Sequence, residues 1–198
     1  MNSLQQRRWL AGMLAATLMV GCHSALAQQT LVFIRHGEKP ANDSGQLTCK
    51  GLNRALALPE LLIGRYGKPD AIFAAGPKEN KLGSSLRPLT TITPTAIRLS
   101  LPIAIQFHAD DIAGLENALL SDRYQDSVVY ISWEHNYMDK VVKNIVKAEG
   151  GNPDVVPAWP GKDFDSLFVL TINRDASANK VVFSHEQGNL NGVSEVCN

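Results

Sequence analysis

Along the chain, short unbroken apolar runs alternate with longer segments whose apolar residues recur every three or four positions. Leu31–Ile34 form such a run, as expected of a strand buried on both faces of a parallel sheet. Further short strands are predicted at 70–75, 102–107 and 127–133. Helical spacing, with Leu52, Leu56, Leu58, Leu61 and Leu62 in phase, predicts a helix over 47–67, kinked at Pro59 and closed by Gly67. Other helices are expected at 86–101, with a break or irregularity at Pro94, at 110–121 and at 136–148, where Val141, Val142, Ile145 and Val146 share one side. Residues 40–46 and the polar, glycine-bearing stretch 76–85 read as loops, and 166–173 with 180–186 as a hairpin at the sheet edge. Strands alternating with helices predict a three-layer α/β/α sandwich on a mostly parallel central sheet.

The amino terminus breaks this pattern. Arg7 and Arg8 precede an apolar run too short for the roughly 20 residues of a membrane span, and Ala25 and Ala27 form an A-x-A cleavage site. Residues 1–27 therefore read as a secretory signal peptide, leaving 28–198 as one domain destined for the periplasm or the exterior. "LMVGC" offers a second reading, a lipid anchor at Cys22. Of the cysteines, Cys49 and Cys197 remain after cleavage, and an oxidising compartment would permit them to pair. The 19 basic and 19 acidic residues cancel, and no run of like charge occurs. A nucleic-acid partner is not expected, nor is a membrane span.

Polar chemistry gathers where the strands end. Arg35 and His36 follow the first strand, Arg87 opens the helix after the second, and His135 follows "VVYISW". In a doubly wound sheet these positions fall on one carboxyl edge, where ligand crevices form. Guanidinium groups match phosphate oxygens bidentately, and an uncharged imidazole is a competent nucleophile toward phosphorus. Taken singly, Arg87 reads as a solvated helix-start residue and His135 as a satisfied strand-end histidine; together the four describe a phosphoryl pocket. His36, His108, His135 and His185 lack metal-ligand spacing, no G-x-x-x-x-G-K-[ST] loop is present, and no metal or other cofactor is implied. His108 and His185 read as surface or loop residues. Trp159 and Phe164 read as packing aromatics, with a substrate-facing loop as the alternative for "AWPGKDFD".

Four segments, "FIRHGEKP", "LTCKGLNRA", "LRPLTTITPTAIRLSLPI" and "VVYISWEHN", resemble the histidine phosphatase superfamily, in its phosphoglycerate mutase-like branch. The resemblance spans nearly all of residues 28–198. It implies that His36 becomes a phosphohistidine while Arg35, Arg87 and His135 bind the transferred group. The larger acid phosphatases of that superfamily carry an aspartate directly after the second histidine; here that position is Asn136. The branch resembled draws its acid from the segment between Arg87 and His135, which offers Asp110, Asp111 and Glu116. Asp111, before an apolar helix, is the leading candidate for proton donor, with a purely helix-capping role as the alternative; Glu134 is a further candidate. The expected function is a secreted phosphomonoesterase acting on a small-molecule phosphate ester. A phosphotransferase or mutase and a non-catalytic phosphoryl-binding module are the alternatives. Loops 76–86 and 149–165 would select the substrate.

Overall fold

In chain order the elements are β1 (Gln29–Arg35), α1 (Cys49–Tyr66), β2 (Ala71–Ala74), β3 (Lys78–Asn80), β4 (Gly83–Ser85), α2 (Arg87–Leu99), β5 (Ile103–Ala104), α3 (Ile112–Leu119), β6 (Val128–Trp133), α4 (His135–Ala148), β7 (Ser166–Ile172) and β8 (Val181–Gln187). This computed structural model describes residues 28–197. The leader read from the sequence, with Arg7, Arg8, Cys22 and the Ala25–Ala27 site, lies outside the described residues.

Six strands form one sheet in the order β5-β2-β6-β1-β7-β8, with β3 and β4 as a separate two-stranded ribbon. β5, β2, β6 and β1 run parallel, whereas β7 is antiparallel to both β1 and β8. The alternation of β1 explains the layering. Leu31 and Phe33 point into a core shared with Leu115 and Leu119 of α3 and Val141, Val142 and Ile145 of α4. Val32 and Ile34 point the other way, to Leu58 and Leu62 of α1 and Ile92 and Ala96 of α2. A strand apolar at every position is thus one that serves two cores. The three-layer α/β/α sandwich on a mostly parallel sheet is the fold observed.

The structure departs from the sequence reading locally. The hairpin is not wholly at the edge: β7 lies inside the sheet against β1, and only β8 is an edge strand. The predicted loop 76–85 contains the β3–β4 ribbon, which carries no buried apolar alternation and so left no strand signal. Strand 102–107 shrinks to Ile103–Ala104, because the chain then turns away and brings the Ala109 carbonyl to the Trp133 indole N–H, 2.9 Å. α1 and α2 run on through Pro59 and Pro94 respectively, without a break in either helix. In α2, Thr90, Thr91 and Thr93 hydroxyls each donate to the carbonyl four residues earlier, adding side-chain bonds to the turns around the proline.

Cys49, the first residue of α1, is disulfide-bonded to Cys197 across 148 positions. The bond holds the tail along α1, where the Asn53 amide also donates to the carbonyls of Ser194 and Val196 at 2.8 and 2.9 Å.

Candidate active site

β1 and β6 end together, with Arg35 opposite Trp133. The chain leaves β1 through α1 on one face of the sheet and leaves β6 through α4 on the other, so a crevice opens between the two strand ends. One more ladder bond, His36 N–H to the Trp133 carbonyl at 3.1 Å, carries the sheet past Arg35 and fixes the backbone of the histidine. Two residues beyond Trp133, His135 opens α4. Arg87 opens α2 in the same way. Both side chains thus sit on helix amino termini, where free N–H groups and the helix dipole favour an anion.

His36 is 3% exposed. Its Nδ1 lies 2.8 Å from the Gly37 carbonyl, an acceptor only, so Nδ1 carries the proton and Nε2 keeps its lone pair. Burial is the main force lowering its pKa to about 4, assisted by the charges of Arg35 and Arg87 and by His135. The imidazole is therefore neutral at physiological pH. Arg35, Arg87 and His135 all lie near enough to act on His36 electrostatically.

The two arginines are held alike. Arg35 Nη1 donates to the carbonyls of Gly161 and Asp163 at 2.9 and 2.8 Å, with Pro160 at 3.5 Å. Its guanidinium carbon lies 3.8 Å over the Phe164 ring. Desolvation lowers its pKa to about 10, which leaves it charged. Arg87 Nη1 donates to the Asp43 carboxylate at 2.8 Å. In both residues Nε is buried without a hydrogen-bond partner, and so is Nδ1 of His135. Buried polar groups are rarely left unpaired. Three of the four residues singled out at the strand and helix ends thus each carry a buried nitrogen without a protein partner. His135 has its pKa lowered too, first by desolvation and then by Arg35 and Lys39.

Backbone fixes this geometry closely. The Gly37 N–H donates to Thr91 Oγ1 at 2.9 Å, and Thr91 in turn donates to the Arg87 carbonyl at 2.8 Å, which links the nucleophile's turn to the first turn of α2. Glu38, Arg54 and Asp165 form a buried network that the sequence reading did not assign. Arg54 grips Glu38 through Nε and Nη2 at 3.1 and 2.8 Å, reaches Asp165 Oδ1 through Nη1 at 2.8 Å, and reaches Asn191 at 3.0 Å. Glu38 is held below the usual carboxylate range: burial works against this, and the Arg54 bonds outweigh it. The signal for Arg54 was present in the sequence, since it lies in phase with Leu58 and Leu62 on the buried face of α1. For Asp43, on an exposed loop, no such signal existed.

The remaining candidates are placed as follows. Asp111 is the N-cap of α3, its carboxylate accepting from the Gly114 N–H at 2.9 Å. Asp110 is exposed beside it, Glu116 accepts from Asn144 at 3.1 Å, and Glu134 is the residue before α4. Phe164 lines the site, 6.2 Å from His36 between ring centroids, whereas Trp159 packs on Phe168 at 4.4 Å. His108 is exposed; His185 is exposed on β8, with Nε2 2.7 Å from the Ser166 hydroxyl. Among the described residues, no group of three or more His, Cys, Asp or Glu side chains is gathered to hold a metal ion, and no helix is long and apolar enough to cross a membrane.

No protein-family model matches the chain, and no curated protein matches it. Solved structures do share its fold. A mycobacterial glucosyl-3-phosphoglycerate phosphatase aligns over 81% of this chain and 98% of its own, with 16% identity and a TM-score of 0.55. A Nakamurella multipartitia protein assigned as a phosphohistidine phosphatase aligns over 81% and 96%, with 17% identity and a TM-score of 0.54. A Plasmodium falciparum phosphoglycerate mutase aligns over 83% and 92%, with 12% identity and a TM-score of 0.54. The fold shared with these proteins is the one that the resemblance to the histidine phosphatase superfamily implied.

Proposed function

We propose that this protein is a phosphomonoesterase that works through a phosphohistidine on His36. The reading rests on one observation above others: His36, at the end of β1, is a neutral imidazole whose Nδ1 is committed to the Gly37 carbonyl, so that Nε2 keeps its lone pair, within the fields of Arg35, Arg87 and His135. Phosphatases among the proteins sharing the fold support it.

In the first step Nε2 of His36 attacks phosphorus, the bond from phosphorus to the ester oxygen breaks, and the alcohol departs with a proton. In the second, water attacks the phosphohistidine, the P–N bond breaks and phosphate leaves. The arginines stabilise the charge that spreads over the equatorial oxygens in both steps, which is where such contacts contribute most. His135, at the amino end of α4, adds a ring nitrogen on the side of α4. Asp111, whose carboxylate also caps α3 through the Gly114 N–H, is proposed as donor of the leaving-group proton.

Export is part of the same proposal. A leader with an A-x-A site and a disulfide between Cys49 and Cys197 both fit an oxidising compartment. The deciding experiment incubates purified protein with a radiolabelled phosphate ester and quenches in base. An acid-labile, base-stable phosphoryl group lost in His36→Ala is expected. Turnover that persists in His36→Ala would defeat the reading.

A further inference from the structure

The loop between β1 and α1 carries a carboxylate that pairs with Arg87 and with Lys39. Asp43 adopts φ +53°, a left-handed conformation that Asp and Asn tolerate better than other side chains. It closes a turn, its N–H donating to the Pro40 carbonyl at 3.1 Å, and its own carbonyl accepts from the Asn80 amide of β3 at 3.2 Å. Two residues on, the Gly45 carbonyl accepts from the Leu86 N–H at 2.9 Å, and a β-carbon on Gly45 would meet the Ser84–Ser85 backbone. The β3–β4 ribbon therefore braces the loop at two points. The braced loop delivers a carboxylate oxygen to Arg87 Nη1 at 2.8 Å, and the same oxygen meets Lys39 Nζ at 3.3 Å.

A guanidinium has two edges that can grip an anion bidentately: the end, Nη1 with Nη2, and the side, Nε with Nη2. With Nη1 occupied, the side edge of Arg87 remains, and its Nε is the buried, unpaired atom. Arg35 is arranged identically, its Nη1 taken by main-chain carbonyls and its Nε left unpaired. Two cations are thus held through Nη1, one by backbone and the other by a side chain.

We propose that Asp43 is the positioning residue of Arg87: it occupies Nη1 and so fixes the orientation in which the guanidinium meets the transferred phosphoryl group. This rests on the phosphoryl-transfer reading and adds a residue to it. Asp43 does not itself touch the substrate. The ribbon, which ends two residues before Arg87, belongs to the clamp because it braces the loop.

The test measures inorganic phosphate affinity by calorimetry and kcat and KM on an aryl phosphate, for Asp43→Gly and Asp43→Asn, in the wild-type and Arg87→Ala backgrounds. Glycine removes the carboxylate without straining a positive φ. Asp43→Gly is expected to weaken phosphate binding and to lower kcat/KM by about 10- to 100-fold, the worth of a hydrogen bond to a charged group. Asp43→Asn, whose amide oxygen accepts the same N–H, restores most of both. In the Arg87→Ala background neither substitution has a further effect. Phosphate affinity that is unchanged or tighter in Asp43→Gly, or an equal loss repeated without Arg87, overturns the proposal while the phosphatase reading stands. Wild-type protein whose phosphate binding is absent, or survives Arg87→Ala, overturns both.

Discussion

Gly37 and Gly51 meet backbone to backbone: a β-carbon on Gly37 would lie 2.9 Å from the Cα of Gly51. The converse is as tight, a β-carbon on Gly51 falling 2.7 Å from the Glu38 carbonyl oxygen. The residue after the nucleophile therefore sets how near α1 can come, and α1 carries Arg54 toward Glu38 at that distance. Gly51→Ala must push the helix off the turn. Overpacking of this kind costs about 1–3 kcal/mol. Denaturant unfolding should register that loss, and kcat/KM should fall in the same variant because the His36 turn moves with it.

Arg54 joins four segments of chain through buried contacts, so its removal strands two carboxylates. Breaking a buried pair on one side typically costs about 3–5 kcal/mol. Arg54→Ala should show a loss of that order in chemical denaturation. Arg54→Ala combined with Glu38→Gln and Asp165→Asn should recover part of it, since the uncompensated charges are then gone.

The neutral imidazole has a pH signature. Unfolded, a histidine takes up its proton near pH 6.5; folded, His36 does so only near 4. Between those values the unfolded chain binds more protons, and stability falls as the pH is lowered from 6.5 to 4. His36→Gln should lose less stability than the wild type over this interval. NMR titration of the His36 Cε1 proton should give a midpoint near 4, and a midpoint above 6 would contradict the burial assigned to it.

Asp111 can be separated from its cap. Asparagine caps helices about as well as aspartate, so Asp111→Asn should leave the thermal midpoint unchanged and isolate chemistry from folding. Loss of a leaving-group acid typically costs about 100- to 10,000-fold. The proposal expects that loss on alkyl esters and little on nitrophenyl phosphate, whose leaving group departs without a proton. Equal, near-wild-type rates on both would leave Asp111 as a cap alone.

The carboxyl-edge placement of Arg35, His36, Arg87 and His135 was legible because each follows an apolar run or opens a helical stripe, and the sheet's hand and topology then fix which end they share. What was not legible depended on contacts distant in sequence. Nothing local announces that Asp43 meets Arg87, that Arg54 reaches Asp165, or that β7 lies beside β1 rather than outside it. The ribbon at 78–85 escaped because polar strands braced by turns lack the alternation that marks a half-buried strand. Phe164 and Trp159, both read as packing aromatics, part company: one closes over Arg35 and the other enters the core.

The disulfide makes a covalent ring of residues 49–197, and β1 is the one described strand outside it. That strand lies in the middle of the sheet, clasped by β6 on one side and β7 on the other. Tension applied ahead of Gln29 is thus resisted by two ladders of hydrogen bonds and by no covalent cross-link. Drawing β1 out would leave the ring covalently closed but would empty both cores of Leu31–Ile34, and would remove Arg35 and His36 in the same movement. The molecule has, in mechanical terms, a ripcord, and the ripcord ends in the nucleophile.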